Sequence, residues 1–158
     1  YGMEGAIEAI RRLGDSIPLR LDIYGDGPFR RALEAAIELT GTGDRVQLQQ
    51  VVLNLALNGL ESMVEPRGGD RALVIRTLKD DARAVRVEIE DSGIGIDDNH
   101  GDRIFQPFYT TKAEGLGMGL AISRTIVTGH GGRLGAANNA HGGATFYFTV
   151  PVDTEGGR

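Results

Sequence analysis

An α/β protein is what this sequence predicts, on three observations. A long apolar helix can be read from residue 44 to 64, and two alternating strands follow it near 73–78 and 84–91. A shorter helix near 118–127 then leads into a closing pair of strands near 133–137 and 144–150.

Taken in order, residues from Glu4 to Leu13 have helical composition. Leu19 to Tyr24 reads as a strand, because Leu19, Leu21 and Ile23 alternate with Arg20 and Asp22. Gly25-Asp26-Gly27-Pro28 breaks it, and Pro28 suits the first turn of a helix running to about Leu39. Asp44 caps the long helix, which is apolar nearly all round (Val46, Leu48, Val51, Val52, Leu53, Leu55, Leu57, Leu60, Met63) and is expected to be largely buried. Pro66 and Gly68-Gly69 end it. Two strands follow, joined by a turn around Asp80-Asp81. In the second, Val85, Val87 and Ile89 take one face and Arg86, Glu88 and Glu90 the other, so that Asp91 falls on the apolar side at the strand's end. From Gly93 to Leu116 the chain reads as a long loop with one helical turn near Arg103.

Composition narrows the function. With 41% hydrophobic and 25% charged residues among 158, the chain can bury one proper core. A net charge of -5 with interspersed signs supplies no basic stripe for nucleic acid or an anionic membrane. There is no cysteine, and His100, His130 and His141 lie too far apart for metal-ligand spacing. No apolar run would span a bilayer and the first residues do not read as a signal peptide, so a cytoplasmic setting is expected. Glycine is the outlier at 24 residues, clustered at Gly93 and Gly95, at Gly115, Gly117 and Gly119, and in the doublets 131–132 and 142–143, which read as turns.

Three constellations could carry chemistry. Gln50, Asn54 and Asn58 are spaced by four on the long helix, with Glu61 three further on. Such a stripe either faces water or offers amide oxygens to a hard cation such as Mg²⁺. Asp91-Ser92-Gly93-Ile94-Gly95 is either a turn or a carboxylate at a strand end able to accept a hydrogen bond from an adenine amino group. Gly115-Leu116-Gly117-Met118-Gly119 opens a helix, as punctuation or as an anion site of unobstructed N–H groups. Its spacing matches neither the P-loop nor the dinucleotide fingerprint.

In this order the segments resemble bacterial sensor histidine kinases over roughly the last two thirds of the chain. Asn54-Leu55-Ala56-Leu57-Asn58 is similar to their N box, and Asp91-Ser92-Gly93-Ile94-Gly95-Ile96 to the G1 box. Residues from Arg103 to Lys112 resemble the F box and lid, and Gly115 to Leu120 the G2 box. Gly129 to Arg133 and the closing 144–151 also look like that family.

The resemblance implies an α/β sandwich, a mixed sheet with helices on one face, of the gyrase, chaperone, histidine kinase and mismatch-repair ATPase superfamily. ATP and Mg²⁺ are the implied cofactors. Asp91 would take the adenine amino group, with Gly93 and Gly95 shaping the pocket. Asn58 would hold Mg²⁺ and Asn54 would sit beside the phosphates. Lys112 would reach the phosphates, and Gly115, Gly117 and Gly119 would cradle them. Phe105 and Phe108 would anchor the lid, and His130 would be structural. One departure is Gly59, where the family usually has alanine.

Superfamily ATPases place a glutamate one turn before the metal-binding asparagine; here Asn54 stands there, and an amide cannot act as a general base. That favours phosphoryl transfer over hydrolysis. None of His100, His130 and His141, each followed by glycine, has the context of a phosphoacceptor. The implied partners are therefore a histidine-containing dimerisation domain and a response regulator, and the chain alone is expected to bind ATP without completing the transfer. Residues 5–46, and above all Leu19 to Leu33, instead resemble a fragment of family-B glycosyltransferases. The domain reading is accordingly a segment 1–43 packed on an ATP-binding domain 44–158. A stand-alone ATPase and a recombined chimeric scaffold remain the alternatives.

Overall fold

The computed structural model describes residues 20–24, 44–63, 71–81, 84–97, 99–111 and 116–151, with backbone alone for 20–24, 44, 45, 79 and 81. The helices expected over 4–13 and 28–39, and the inward facing of Leu21 and Ile23, lie outside the described residues.

Strand β1 (Arg20–Tyr24) is followed by helix α1 (Asp44–Ser62), strands β2 (Ala72–Asp81) and β3 (Ala84–Asp91), and a 3-10 turn, Gly101–Phe105. Helix α2 (Gly119–Gly129) then precedes β4 (Arg133–Asn138) and β5 (Ala144–Pro151). The strands form one sheet in the order β1-β2-β3-β5-β4. The β1–β2 pair is parallel, and the other neighbours run antiparallel. The sheet is therefore mixed, as expected, and the hairpins predicted at 73–91 and 133–150 are both present.

Alternation decides which side of the sheet is covered. Leu73 and Ile75 of β2, Val85, Val87 and Ile89 of β3, and Ala144, Phe146, Phe148 and Val150 of β5 all turn to one side. There they meet Leu48, Val51, Val52 and Leu55 of α1 and Val127 of α2 in a shared core. On the opposite side, Arg86 lies 3.8 Å over the Tyr147 ring and forms an ion pair with Glu88, Nε to Oε1 2.9 Å. Arg76 pairs with Glu90 on the same side.

The long helix departs from its expected burial. Val46 is 64% exposed, and Leu53 and Leu60 are only partly buried at the margin of the core. Helix α1 packs on the sheet along one side and on α2 along another, so its remaining surface is left outward.

Candidate nucleotide site

Asp91 ends β3 with its side chain on the covered side of the sheet, only 3% exposed, where the strand's alternation placed it. Burial drives its carboxyl above the ordinary carboxylate range, and three hydrogen bonds hold it back. The Gly93 N–H donates to Oδ1 at 2.8 Å, the Ser62 hydroxyl lies 2.9 Å from it, and the Ala144 N–H reaches it at 3.4 Å. The negative charge of Glu90 adds a smaller upward push. No described protein donor reaches Oδ2, which lies on the side of Gly59, 3.6 Å from where a methyl group there would stand.

The loop after Asp91 is shaped by what presses on it. A Cβ on Gly93 would fall 2.0 Å from Ser62 Oγ, so the helix end excludes any other residue. Gly95 has φ +77°, in the left-handed region. The side-chain amide of Asn138 clamps the next residue, accepting from the Ile96 N–H and donating to the Ile96 carbonyl, both at 2.7 Å. Asn139 Nδ2 donates to the Asp91 carbonyl at 3.1 Å. Gly143, in the β4–β5 turn, comes so close that a Cβ would lie 2.0 Å from that same oxygen.

Along α1, Asn54 lies five residues before Gly59, about 7.5 Å down the axis. Its Nδ2 donates to the Ser123 hydroxyl at 3.4 Å and sits 3.5 Å from the Gly119 carbonyl, which ties α1 to the start of α2. Asn58, half-buried, is one turn from Asn54. No side chain caps the α2 N-terminus, and a Cβ on Gly119 would meet nothing within 4 Å. A carboxylate thus stands at one end of the stretch and an open helix start at the other. Lys112 and Gly115 lie outside the described residues.

The aromatic pair expected to anchor the lid divides. Phe105 is buried and packs edge-on against Phe146, with ring centroids 6.5 Å apart. Phe108 is instead 74% exposed at φ +65°, its N–H donating to the Gly117 carbonyl at 3.0 Å. That turned backbone aims the ring outward. It also fixes Gly117, itself at φ +65°, whose Cβ would collide with the Tyr109 carbonyl at 2.6 Å. The segment from Asp97 onward holds more local structure than its charges suggest. Asp97 accepts from the Asn99 backbone at 2.9 Å and side chain at 2.7 Å, which lowers its carboxyl from the ordinary range. His100 Nδ1 bonds the Tyr109 hydroxyl. His130 caps the end of α2, its Nδ1–H donating to the Ile126 carbonyl at 2.8 Å.

Four contributors escaped the sequence reading: Ser62, Asn138, Asn139 and Gly143. Ser62 had a legible signal, since it continues the four-residue spacing of Gln50, Asn54 and Asn58. Gly143 reads as a simple turn until β3 is placed beside it. A cleft of about 390 Å³ also opens by Val74, Glu90, Ser92 and His141; Asp91 and Asn139 border it too, but Asn54, Asn58 and the helix-start glycines do not.

Comparison with known proteins places this geometry. The family described as histidine kinase-, DNA gyrase B-, and HSP90-like ATPase matches residues 43–154, and the chain belongs to it. Its relatives include proteins named as sensor proteins and sensor histidine kinases. Sensor protein FixL of Bradyrhizobium diazoefficiens is 46% identical over 127 residues, 80% of this chain and 25% of FixL. The C4-dicarboxylate transport sensor protein DctB of Rhizobium meliloti is 34% identical over 146 residues, 91% of this chain and 21% of DctB. The chain thus spans a quarter or less of these relatives. Among solved structures, the catalytic domain of histidine kinase ThkA superposes with a TM-score of 0.74 at 27% identity, covering 95% of this chain and 91% of that one. Within that family the chain is thus similar to the catalytic domain of histidine kinases. The glycosyltransferase resemblance of residues 5–46 finds no support, because the DctB and ThkA matches run into that segment. Among the described residues no helix is long and apolar enough to cross a membrane.

Proposed function

We propose that the domain binds Mg²⁺·ATP between α1 and the lid and passes the γ-phosphoryl group to a histidine on a partner domain. The observation that carries this reading is Asp91: a buried carboxylate with Oδ2 left to the space beside Gly59 needs a donor, and an adenine amino group is one. The phosphates would then lie toward the open start of α2, where helix N–H groups favour anions. Gly119 leaves room there, Gly117 shapes the approach, and Gly115 and Lys112 complete the cradle by their place in the chain.

The donor set fits Mg²⁺ held largely by phosphate. Among the described residues no three acidic or histidine side chains converge on one point, so no all-protein cage exists there. Mg²⁺ bound with nucleotide needs only one or two protein oxygens, and the amide oxygen of Asn58 would supply one. The ion would neutralise charge on the phosphates. Asn54, tied to α2 by its Nδ2, braces the helix start and supplies no base, which favours transfer over hydrolysis.

The acceptor belongs to a partner. Phe108, Leu116, Met118 and Ile122 are exposed apolar side chains around the lid's end and the first turn of α2. Such a patch suits a histidine-bearing dimerisation domain, with a response regulator acting on the phosphorylated product. Titration with a fluorescent ATP analogue, with and without Mg²⁺, tests the reading. Asp91→Asn is expected to keep the fold and lose about 10- to 150-fold in affinity, the worth of one charged hydrogen bond. Unchanged affinity removes Asp91 from the site.

A further inference from the structure

Ser62 touches the site without belonging to any of its sequence boxes. Its Oγ lies 2.9 Å from Asp91 Oδ1 and 2.7 Å from the Gly59 carbonyl, and its own carbonyl accepts from the Ile94 N–H at 3.3 Å. The end of α1 is thereby fastened to the loop carrying Gly93, at the place where Gly93 can have no side chain.

We propose that Ser62 is a positioning residue for nucleotide binding, its hydroxyl occupying Asp91 Oδ1 so that Oδ2 alone is presented to the adenine amino group. The inference rests on the assignment of Asp91 as the adenine contact. A hydroxyl has one proton and here two acceptors. With Asp91 ionised, the charged oxygen is the stronger acceptor and takes it. With Asp91 protonated, the hydroxyl can turn to the Gly59 carbonyl and accept from the carboxyl instead. Ser62 therefore supports both charge states but favours the ionised one, which is the better acceptor for an amino group. The surroundings supply little else. Glu90 is next in sequence but points to the other side of the sheet, paired with Arg76. Gly59 and Leu73, facing Asp91 from α1 and β2, and Asn139 in the β4–β5 turn, are uncharged. His141, in the same turn, is exposed and lines a cleft that Asp91 also borders, and no hydrogen bond or ion pair joins the two.

Two measurements test this. Asp91 side-chain carbon chemical shifts followed against pH, without nucleotide, should show the Ser62→Ala midpoint raised by about one unit relative to wild type, with Ser62→Thr close to wild type. Binding of ADP with Mg²⁺ should weaken for Ser62→Ala, and its fall at acid pH should begin correspondingly higher. On an Asp91→Asn background, the same Ser62→Ala change should leave the residual affinity unaltered. Should Ser62→Ala not fold by circular dichroism, Ser62→Cys, a weak donor of similar volume, is expected to shift the midpoint in the same direction. A midpoint unmoved by losing the hydroxyl, or an equal affinity loss on the Asp91→Asn background, overturns the proposal. If the wild type binds no adenine nucleotide, the functional reading fails instead, and the carbon titration still decides whether Ser62 governs Asp91.

Discussion

Gly59 is where helix propensity and packing disagree. Inside a helix glycine costs about 1 kcal/mol relative to alanine. A methyl group there would stand 2.9 Å from Leu73 Cδ1 and 3.2 Å from Asp91 Cβ, both fully or nearly buried. The glycine therefore lets β2 and β3 approach α1 rather than loosening the helix. Gly59→Ala is expected to change stability by less than about 1 kcal/mol, because the propensity gained offsets the shift forced on Leu73. Nucleotide affinity should fall several-fold as Asp91 is displaced; paired thermal melts and calorimetry distinguish the two effects. The individual site residues were only partly legible in the sequence. Asp91 could be placed by alternation alone, since a strand fixes which face each residue takes. Asn139 and Gly143 could not, because they act on Asp91 through the β4–β5 turn, more than forty residues away along the chain.

Strands β3 and β5 lie where alternation predicts because each has one covered side, and a one-residue slip would turn Val85, Val87 and Ile89 outward. Helix bounds were read nearly as well, α1 ending two residues earlier than predicted. The lid region was the poorest reading. No periodicity marks a backbone that turns Phe108 to φ +65°, a conformation set by its bond to the Gly117 carbonyl. At the other border of that region, Asn138 joins the end of β4 to the loop after β3. Asn138→Ala should make the Ile96 amide exchange roughly fivefold faster, from the loss of about 1 kcal/mol of hydrogen bonding. Melting temperature should drop only slightly. Unchanged exchange at Ile96 would mean that the clamp contributes nothing to holding the loop.

The mixed sheet draws residues 20–24 into the fold. Strand β1 covers the outer edge of β2 from Arg20–Ala72 to Tyr24–Arg76, although the family match begins at residue 43. Removing residues 1–43 would bare that edge to any passing strand. The truncated chain is expected to be insoluble or molten; cooperative unfolding with unchanged ATP-analogue affinity would make the segment an appendage. The central pairing of β3 with β5 has a different consequence. It closes a loop of roughly fifty residues that contains the whole lid, and the entropy of closing such a loop grows only with the logarithm of its length. Ten residues added to the lid would then cost the fold only about 0.2 kcal/mol. Lid length is thus nearly free to drift between descendants of this fold, while the strands that enclose it stay fixed.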